Sequence, residues 1–182
     1  MALLAVSIVA ARPLTADARL NAVLDAMAFA LVLVGGGIRS WAMGYHVWRR
    51  VHGPGSQRSL ITAGPYALVR NPLYLGTLLI SGGVALMSGS WMIIGTYAVV
   101  FWLGYHAIIR WEEGRLDAQF GERYRGYFDT IPRLLPAGRI WPNREGAFSL
   151  DTMLRCMEPV KTLGFLAAAA LMLYVKSLRA PV

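Results

Sequence analysis

The stretch GPYALVRNPLYLG, residues 64–76, places rigid and polar residues immediately before a long apolar run. Its two prolines fix their own φ angles and disfavour helix in the residue before each, so the stretch predicts a rigid loop that runs into a helix. Asn71 is placed to cap that helix, with Pro72 as its first residue. Such a helix start presents free N–H groups and a partial positive charge to an anionic ligand group. The alternative is an elbow at a membrane interface, with Tyr66 and Tyr74 as interfacial aromatics.

A second polar segment, RWEEGRLDAQFGERYRGYFDTIPRLLP, begins at Arg110, where the apolar run ends. Glu112 and Glu113 are adjacent on the predicted helix and point in different directions, so we expect one of them to face a site together with Arg110. The alternative is a solvated helix end whose glutamates pair with nearby arginines. If both polar loops lie on one face, they form a site that borders water and lipid and fits a ligand of mixed polarity.

The apolar runs that carry these loops predict an integral membrane protein. Of the 182 residues, 56% are hydrophobic and 15% are charged, and the mean hydropathy is +0.47, which is too apolar for a typical soluble domain. Residues 71–109 contain no Asp, Glu, Lys or Arg, a length that suits two crossings joined by a turn at SGS, residues 88–90. We therefore predict a helical hairpin over about residues 73–109, made of 73–87 and 91–109.

Two further apolar runs complete the predicted fold, one over residues 20–44 and a short one over 162–175. The fold class is all-α: a polytopic membrane protein with about four transmembrane helices and a cytoplasmic pocket built by the loops at the ends of the hairpin. The first eleven residues are expected to form an interfacial or re-entrant segment. GGG at 35–37 predicts close helix packing or a local bend rather than a nucleotide-binding loop.

The basic residues predict the orientation. Twelve of the 18 basic residues lie in the two polar segments that flank the hairpin, and the turn at 88–90 has none, so the flanking face is expected to be cytoplasmic. The net charge of +8 has no accompanying nucleic-acid-binding motif, which excludes nucleic acid as the expected partner. Arg39 is expected to extend to the head groups, and Asp25 to be hydrated. The lone Cys156, without CxxC or HExxH, predicts a packing residue and no metal site.

The two polar motifs together resemble the isoprenylcysteine carboxyl methyltransferase and phospholipid methyltransferase group of membrane enzymes. That group's pattern reads G-x-Y-x-x-x-R-[HN]-P-x-Y-x-G, an apolar hairpin, E-E-x-x-L-x-x-x-F-G-x-x-Y-x-x-Y, and then a proline–arginine turn. The resemblance covers residues 58–136 in the same order and spacing. It divides a single domain of residues 1–182 into an N-terminal segment and first span (1–48), a methyltransferase core (58–136) and a cover segment with the last span (137–182).

The resemblance implies that S-adenosylmethionine binds in the cytoplasmic C-terminal half. Carried over by position, the cofactor-binding residues are Leu60, Ile61, Tyr66, Asn71, Pro72, Leu73, Tyr74 and Glu112. Arg110 and Glu113 are the candidate catalytic residues, and the proton of an alcohol or amine acceptor would pass to Glu113 or to solvent. Arg110 and Arg133 are the candidates for holding an anionic head group. The chain departs from the family pattern where Asn71 replaces the commoner histidine, and where Ile108 stands near the substrate-side arginine of the prenylcysteine enzymes.

The expected activity is therefore methyl transfer from S-adenosylmethionine to a lipophilic acceptor, isoprenoid, prenyl-thiol or phospholipid-like, that enters from the bilayer. A carboxylate suits the ammonium or ribose hydroxyls of this cofactor, and aromatic faces suit its sulfonium. One alternative is an NADPH-dependent membrane sterol reductase, which has a similar R-x-P-x-Y loop but is usually longer. Another is a non-enzymatic scaffold that binds anionic lipid, which explains the charge but not the order of the motif residues. The oligomeric state stays open.

Overall fold

The computed structural model describes residues 2–45 and 60–179, with side chains from residue 6 onward. Within these ranges every regular element is a helix, which confirms the all-α prediction. The elements are α1 (Ala2–Ala10), α2 (Ala18–Tyr45), a short 3₁₀ helix (Gly64–Ala67), α3 (Pro72–Met87), α4 (Trp91–Phe120), α5 (Glu122–Thr130), α6 (Leu150–Arg155) and α7 (Glu158–Arg179). Residues 46–59 lie outside the described ranges, and with them Arg49, Arg50 and Arg58 of the basic set, the end of the predicted first segment and the start of the predicted core.

Three helices in the described ranges are long and apolar enough to cross a membrane, namely α2, α4 and α7, with 28, 30 and 22 residues. They correspond to three of the four predicted spans and confirm a polytopic membrane protein. The fourth, α3, is apolar but has 16 residues, which is about 24 Å of helix against a hydrocarbon core of about 30 Å. α7 is longer than the apolar run at 162–175 because it extends through polar residues at both ends.

The predicted hairpin is present, since α3 ends at Met87 and α4 begins at Trp91. Gly89 occupies the turn with a φ of +63°, a conformation that glycine adopts readily. The Arg12 N–H donates to the Ser88 carbonyl at 3.2 Å, so the end of α1 lies beside this turn. α1 itself has 9 residues, too few to cross a bilayer. Whether it lies at the interface, as expected from the sequence, stays a prediction.

α4 continues well beyond its predicted end at residue 109 and ends at Phe120. The paired glutamates therefore lie inside α4, in the polar part that follows its apolar run, and their position at the exit of a span stays a prediction. No proline interrupts this stretch, and the helix ends only where Gly121 adopts a φ of +55°. The same helix thus carries the apolar crossing and the polar residues of the predicted site.

The first two glycines of GGG, Gly35 and Gly36, lie in close contacts between helices, which confirms the prediction for these two residues. α2 packs most extensively on α3, and a Cβ added to Gly35 would lie 2.7 Å from the Gly76 carbonyl oxygen. Gly36 faces Thr162 of α7 in the same way, whereas Gly37 faces open space. The core beside this contact is formed by Ala28, Val32, Ile80, Val84, Met87, Ala169 and Met172.

Two charged residues differ from their predicted environments. Arg39, expected to reach the head groups, instead turns inward, with its Nε 3.1 Å from the Glu158 Oε2. Asp25, expected to be hydrated, forms an ion pair with Lys176. In both cases α7 supplies the opposite charge, and a charge inside an apolar bundle is stable only when it is paired. Neither pairing has a local signal in the sequence, because the partners lie more than a hundred residues apart.

Candidate functional site

The loop that precedes α3 is held by backbone hydrogen bonds from a segment far along the chain. The Thr62 and Ala63 N–H groups both donate to the Glu145 carbonyl, at 2.9 and 3.0 Å, and the Trp141 N–H donates to the Ala67 carbonyl at 2.9 Å. Residues 137–149 therefore lie against this loop, where the sequence placed a cover segment. Their role as a cover stays a prediction.

Below the loop lies a small hydrophobic cluster made by α5 and its C-terminal turn. Leu60, 5% exposed, packs there with Tyr124, Tyr127 and Ile131. The Tyr127 hydroxyl donates to the Tyr66 carbonyl at 2.7 Å, and burial raises the pKa of the Tyr127 phenol. Leu60, one of the predicted cofactor residues, thus supports the loop from within the cluster, while the neighbouring Ile61 is partly exposed.

α3 begins at Pro72, as predicted, and Asn71 occupies the N-cap position. The Asn71 side chain makes no capping bond, however, so the predicted capping chemistry is wrong. Its Nδ2 donates instead to the Arg133 carbonyl at 3.2 Å, and the Asn71 N–H donates to the same oxygen at 3.2 Å. The amide is engaged in fastening the loop to the turn after α5, which leaves the first turn of α3 uncapped by a side chain.

The structure brings Tyr66, Tyr74 and Glu112 together, three of the residues assigned to the cofactor. Tyr74 lies close enough to Glu112 across the hairpin for the phenol and the carboxylate to interact. Burial, and then the charge of Glu112, raise the pKa of the Tyr66 phenol, so this hydroxyl is neutral at physiological pH. Within the described part of the chain no cation pairs with Glu112. A carboxylate flanked by neutral phenols and lacking a cation can accept hydrogen bonds from hydroxyl or ammonium groups of a ligand.

Glu113 has the opposite surroundings, although it is the next residue. It is 6% exposed, and its two oxygens lie 3.0 Å from the Arg70 Nη2 and 2.6 Å from the Arg133 Nη2. The three residues come from the loop before α3, from α4 and from the turn after α5. Glu113 therefore ties the three segments of the site together, a role that the sequence did not suggest.

Arg110 and Arg133, the two arginines predicted to hold an anionic head group, line one cavity of 440 Å³. Glu113 and Tyr124 contribute to the same cavity. Arg110 is exposed and has no ion-pair partner among residues 2–45 and 60–179, whereas Arg133 is already engaged by Glu113. Ile108, near which the family's substrate-side arginine was expected, is 44% exposed and lines neither this cavity nor the one described below.

Arg70 was part of the quoted loop motif but received no role from the sequence. Its guanidinium pairs with Glu113, lies 3.8 Å from the centre of the Phe128 ring and donates to the Phe128 carbonyl. The family pattern has an arginine immediately before the Asn-Pro pair, and this was the feature of the sequence that could have pointed to a role for Arg70. Tyr105 was also missed. Its ring packs edge-on against Tyr74, with centroids 5.3 Å apart, a contact that only the fold of the hairpin creates.

Comparison with known proteins supports the resemblance to membrane methyltransferases independently of the site geometry. A family model described as phospholipid methyltransferase matches residues 24–123. The cobalt-zinc-cadmium resistance protein CzcN of Cupriavidus metallidurans is 37% identical over 78 residues, which are 43% of this chain and 36% of that protein. The protein-S-isoprenylcysteine O-methyltransferase of Schizosaccharomyces pombe is 31% identical over 77 residues, 42% of this chain and 33% of that enzyme. The protein-S-isoprenylcysteine O-methyltransferase B of Arabidopsis thaliana is 34% identical over 77 residues, 42% and 39% of the two chains.

The matched segment spans between about a third and two fifths of the length of these relatives. No solved structure matches the chain.

Proposed function

This chain belongs to the phospholipid methyltransferase family, and we propose that it transfers a methyl group from S-adenosylmethionine to a lipophilic acceptor at the membrane surface. The proposal rests chiefly on the proximity of Tyr66, Tyr74 and Glu112 to one another. The first two belong to the loop motif and the last to the paired-glutamate motif. Their convergence supports one site built from both motifs.

The residues of this site fit the cofactor's chemistry. Glu112 would accept hydrogen bonds from its ammonium group or its ribose hydroxyls, because no described cation neutralises this carboxylate. Tyr66 and Tyr74 would present aromatic faces and neutral hydroxyls to a cation. Ile61, Pro72 and Leu73 would add apolar surface beside them, and Leu60 and Asn71 would hold the loop in place. The cofactor supplies an electrophilic methyl group bonded to a positively charged sulfur.

The chain's own part in the reaction is alignment and exclusion of water. With the cofactor bound, the accepting atom would gain the methyl carbon, and the electron pair of the broken carbon–sulfur bond would stay on sulfur. A carboxylate acceptor needs no base, whereas an amine or alcohol also releases a proton. That proton was predicted to pass to Glu113 or to solvent. Since both Glu113 oxygens are bound by arginines, we propose that Glu113 positions the loop and the turn around the site instead.

Arg110 and Arg133 would attract an acidic group of the acceptor from the water side of the site. The excess of arginine on this face supports a cytoplasmic orientation of the site. Acceptors of the prenyl-thiol, isoprenoid or phospholipid type all fit a site at the end of an apolar hairpin.

Calorimetry with S-adenosylhomocysteine on the purified chain tests the proposal. We expect wild-type binding to weaken about tenfold or more in Glu112→Gln and to a smaller extent in Tyr74→Phe, since each removes a hydrogen-bonding group. Glu122→Gln, an exposed glutamate of α5, is the matched control and should bind as wild type does. Wild-type affinity in both site variants would refute the assignment, and binding of NADPH in place of S-adenosylhomocysteine would favour the reductase alternative.

A further inference from the structure

A second cavity, of 300 Å³, lies between α2, α3, α4 and α7 at the same end of the bundle as the Tyr74–Glu112 pair. It is lined by the C-terminal part of α2, the middle of α3 and of α4, and the N-terminal part of α7. The wall combines the polar groups of Arg39, Tyr105, Glu158 and Lys161 with the apolar side chains of Ile80 and Phe165. It therefore suits a ligand with a polar head and an apolar chain.

The polar part of this cavity carries an excess of positive charge. Glu158 is 1% exposed and receives bonds from the Arg39 Nε and Nη2 at 3.1 and 3.2 Å, and from the Lys161 Nζ at 2.9 Å. Two cations thus face one carboxylate. The Lys161 side chain is 54% exposed and uses one of its three donors for Glu158. Its remaining donors are available to an acceptor group, and the surplus charge favours an anionic one.

Tyr105 connects this cavity to the proposed methyl-transfer site. Its hydroxyl makes no hydrogen bond to the described part of the chain. Its ring stacks on Phe101 at a centroid distance of 4.1 Å and meets Tyr74 edge-on. The Tyr105 ring is thus held by contacts on two sides, and it lies between the cavity and the Tyr74–Glu112 pair. A ligand in the cavity would contact a free phenol donor directly beside the residues assigned to the cofactor.

We propose that the acidic head group of the acceptor, after its attraction to the arginines of the first cavity, binds in this second cavity. Lys161 and Tyr105 contact the acid, and Ile80 and Phe165 contact the start of its hydrocarbon chain. The role as acceptor site rests on the proposed function. It makes Lys161 and Tyr105 the residues that select an acidic over a neutral or basic amphiphile. When the acid oxygen gains the methyl carbon, the bond from that carbon to sulfur breaks and its electron pair stays on sulfur, so no proton has to be removed.

Binding of three amphiphiles with the same tail tests the inference without any methyl donor. The probes are farnesoic acid, its primary amide and farnesylamine, titrated against the full chain in phosphatidylcholine nanodiscs. We expect the acid to bind best, and its affinity to fall about tenfold in Lys161→Gln and severalfold in Tyr105→Phe, with amide binding unchanged. Arg155→Gln, which removes an exposed cation shortly before α7, is the charge-matched control and should bind the acid as wild type does.

Equal loss of acid and amide binding in Lys161→Gln, or tighter binding of farnesylamine than of the acid, would overturn the inference. Displacement of farnesoic acid by phosphatidylglycerol at comparable concentration would overturn the acceptor role and identify a lipid head-group site. Binding of S-adenosylhomocysteine separates the two proposals, since it should be unchanged in Lys161→Gln. S-adenosylhomocysteine binding without acid binding refutes this inference alone, whereas acid binding without S-adenosylhomocysteine binding refutes the proposed function and the acceptor role with it.

Discussion

The Arg133 Nη2 lies 2.6 Å from the Glu113 Oε2, and this bond joins the turn after α5 to the middle of the polar part of α4. The other Glu113 oxygen is held by Arg70 from the loop before α3. One carboxylate thus fixes the relative positions of three segments that are distant in sequence. Because the pair with Arg70 is buried on both sides, loss of the carboxylate leaves an uncompensated charge in the interior.

Glu113→Gln is therefore expected to lower the free energy of unfolding by about 3 kcal/mol or more, the usual cost of breaking a buried ion pair on one side. Thermal unfolding in detergent measures this. S-adenosylhomocysteine affinity of the folded fraction should fall less than in Glu112→Gln, since Glu113 positions the site without contacting the cofactor.

The matched control for this change is Asp117→Asn, because Asp117 forms an exposed pair with Arg125. Exposed ion pairs contribute little to stability, so this variant should unfold as wild type does. Equal unfolding temperatures for Glu113→Gln and Asp117→Asn would contradict the positioning role of Glu113.

The tight turn of the hairpin predicts a second pair of variants. Gly89 has a φ of +63°, and a Cβ there would lie 1.7 Å from the Arg12 carbonyl oxygen, so alanine has to shift the backbone of one of the two segments. We expect Gly89→Ala to destabilise the protein by about 1–3 kcal/mol. Gly95→Ala, in α4 where nothing lies within 4 Å of the new Cβ, should be neutral or slightly stabilising. The comparison uses unfolding temperatures in detergent, and a tolerated Gly89→Ala would show that the turn does not pack on residue 12.

The helices were largely predictable because their signals are local. An uncharged stretch over residues 71–109 with a Ser-Gly-Ser interruption implies two apolar helices and a turn, and the structure has both helices and the turn. The extension of α4 to Phe120 was missed, since a helix that leaves the membrane shows no change of backbone propensity where the polarity changes. The length of α7 was missed for a related reason, because the pairing of Glu158 with Arg39 cannot be read from the residues beside it.

The site was predictable as a meeting of two motifs but not in its pairings. The adjacent glutamates were expected to differ in direction, and they do, with Glu112 towards Tyr74 and Glu113 towards the two arginines. Which of the two glutamates faces Tyr74 and which faces the arginines depends on how α4 is rotated about its axis relative to α3. That rotation is set by tertiary packing and cannot be read from the local sequence. The Tyr74–Tyr105 contact depends on the same rotation, and so the second cavity had no signal in the sequence.

Tyr124 predicts a pH-dependent effect. Its hydroxyl is buried without a hydrogen-bond partner in the described part of the chain, and burial raises its pKa to about 12. Because the folded state keeps this phenol protonated to a higher pH than the unfolded state does, its contribution to stability is present below about pH 10 and is lost between about pH 10 and 12.

Tyr124→Phe should therefore be as stable as wild type at neutral pH, or more stable by up to about 1 kcal/mol, because it removes an unsatisfied buried hydroxyl. It should also lose less stability than wild type between neutral pH and about pH 11. Unfolding temperatures at the two pH values measure both effects. A neutral-pH destabilisation of more than about 2 kcal/mol would mean that the hydroxyl has a partner that stabilises it.

The orientation of the site is testable with single cysteines, since the chain has one cysteine and Cys156→Ser removes it. Ala16 is exposed in the loop after α1, at the bundle end that carries the hairpin turn, and Ala118 is exposed in the polar part of α4 at the opposite end. If the arginine-rich face is cytoplasmic, an impermeant maleimide added to intact cells should label Ala16→Cys. Ala118→Cys should react only after permeabilisation. The two variants make the same chemical change, so each controls for the reactivity of the other, and the reverse labelling pattern would place the site on the outer face.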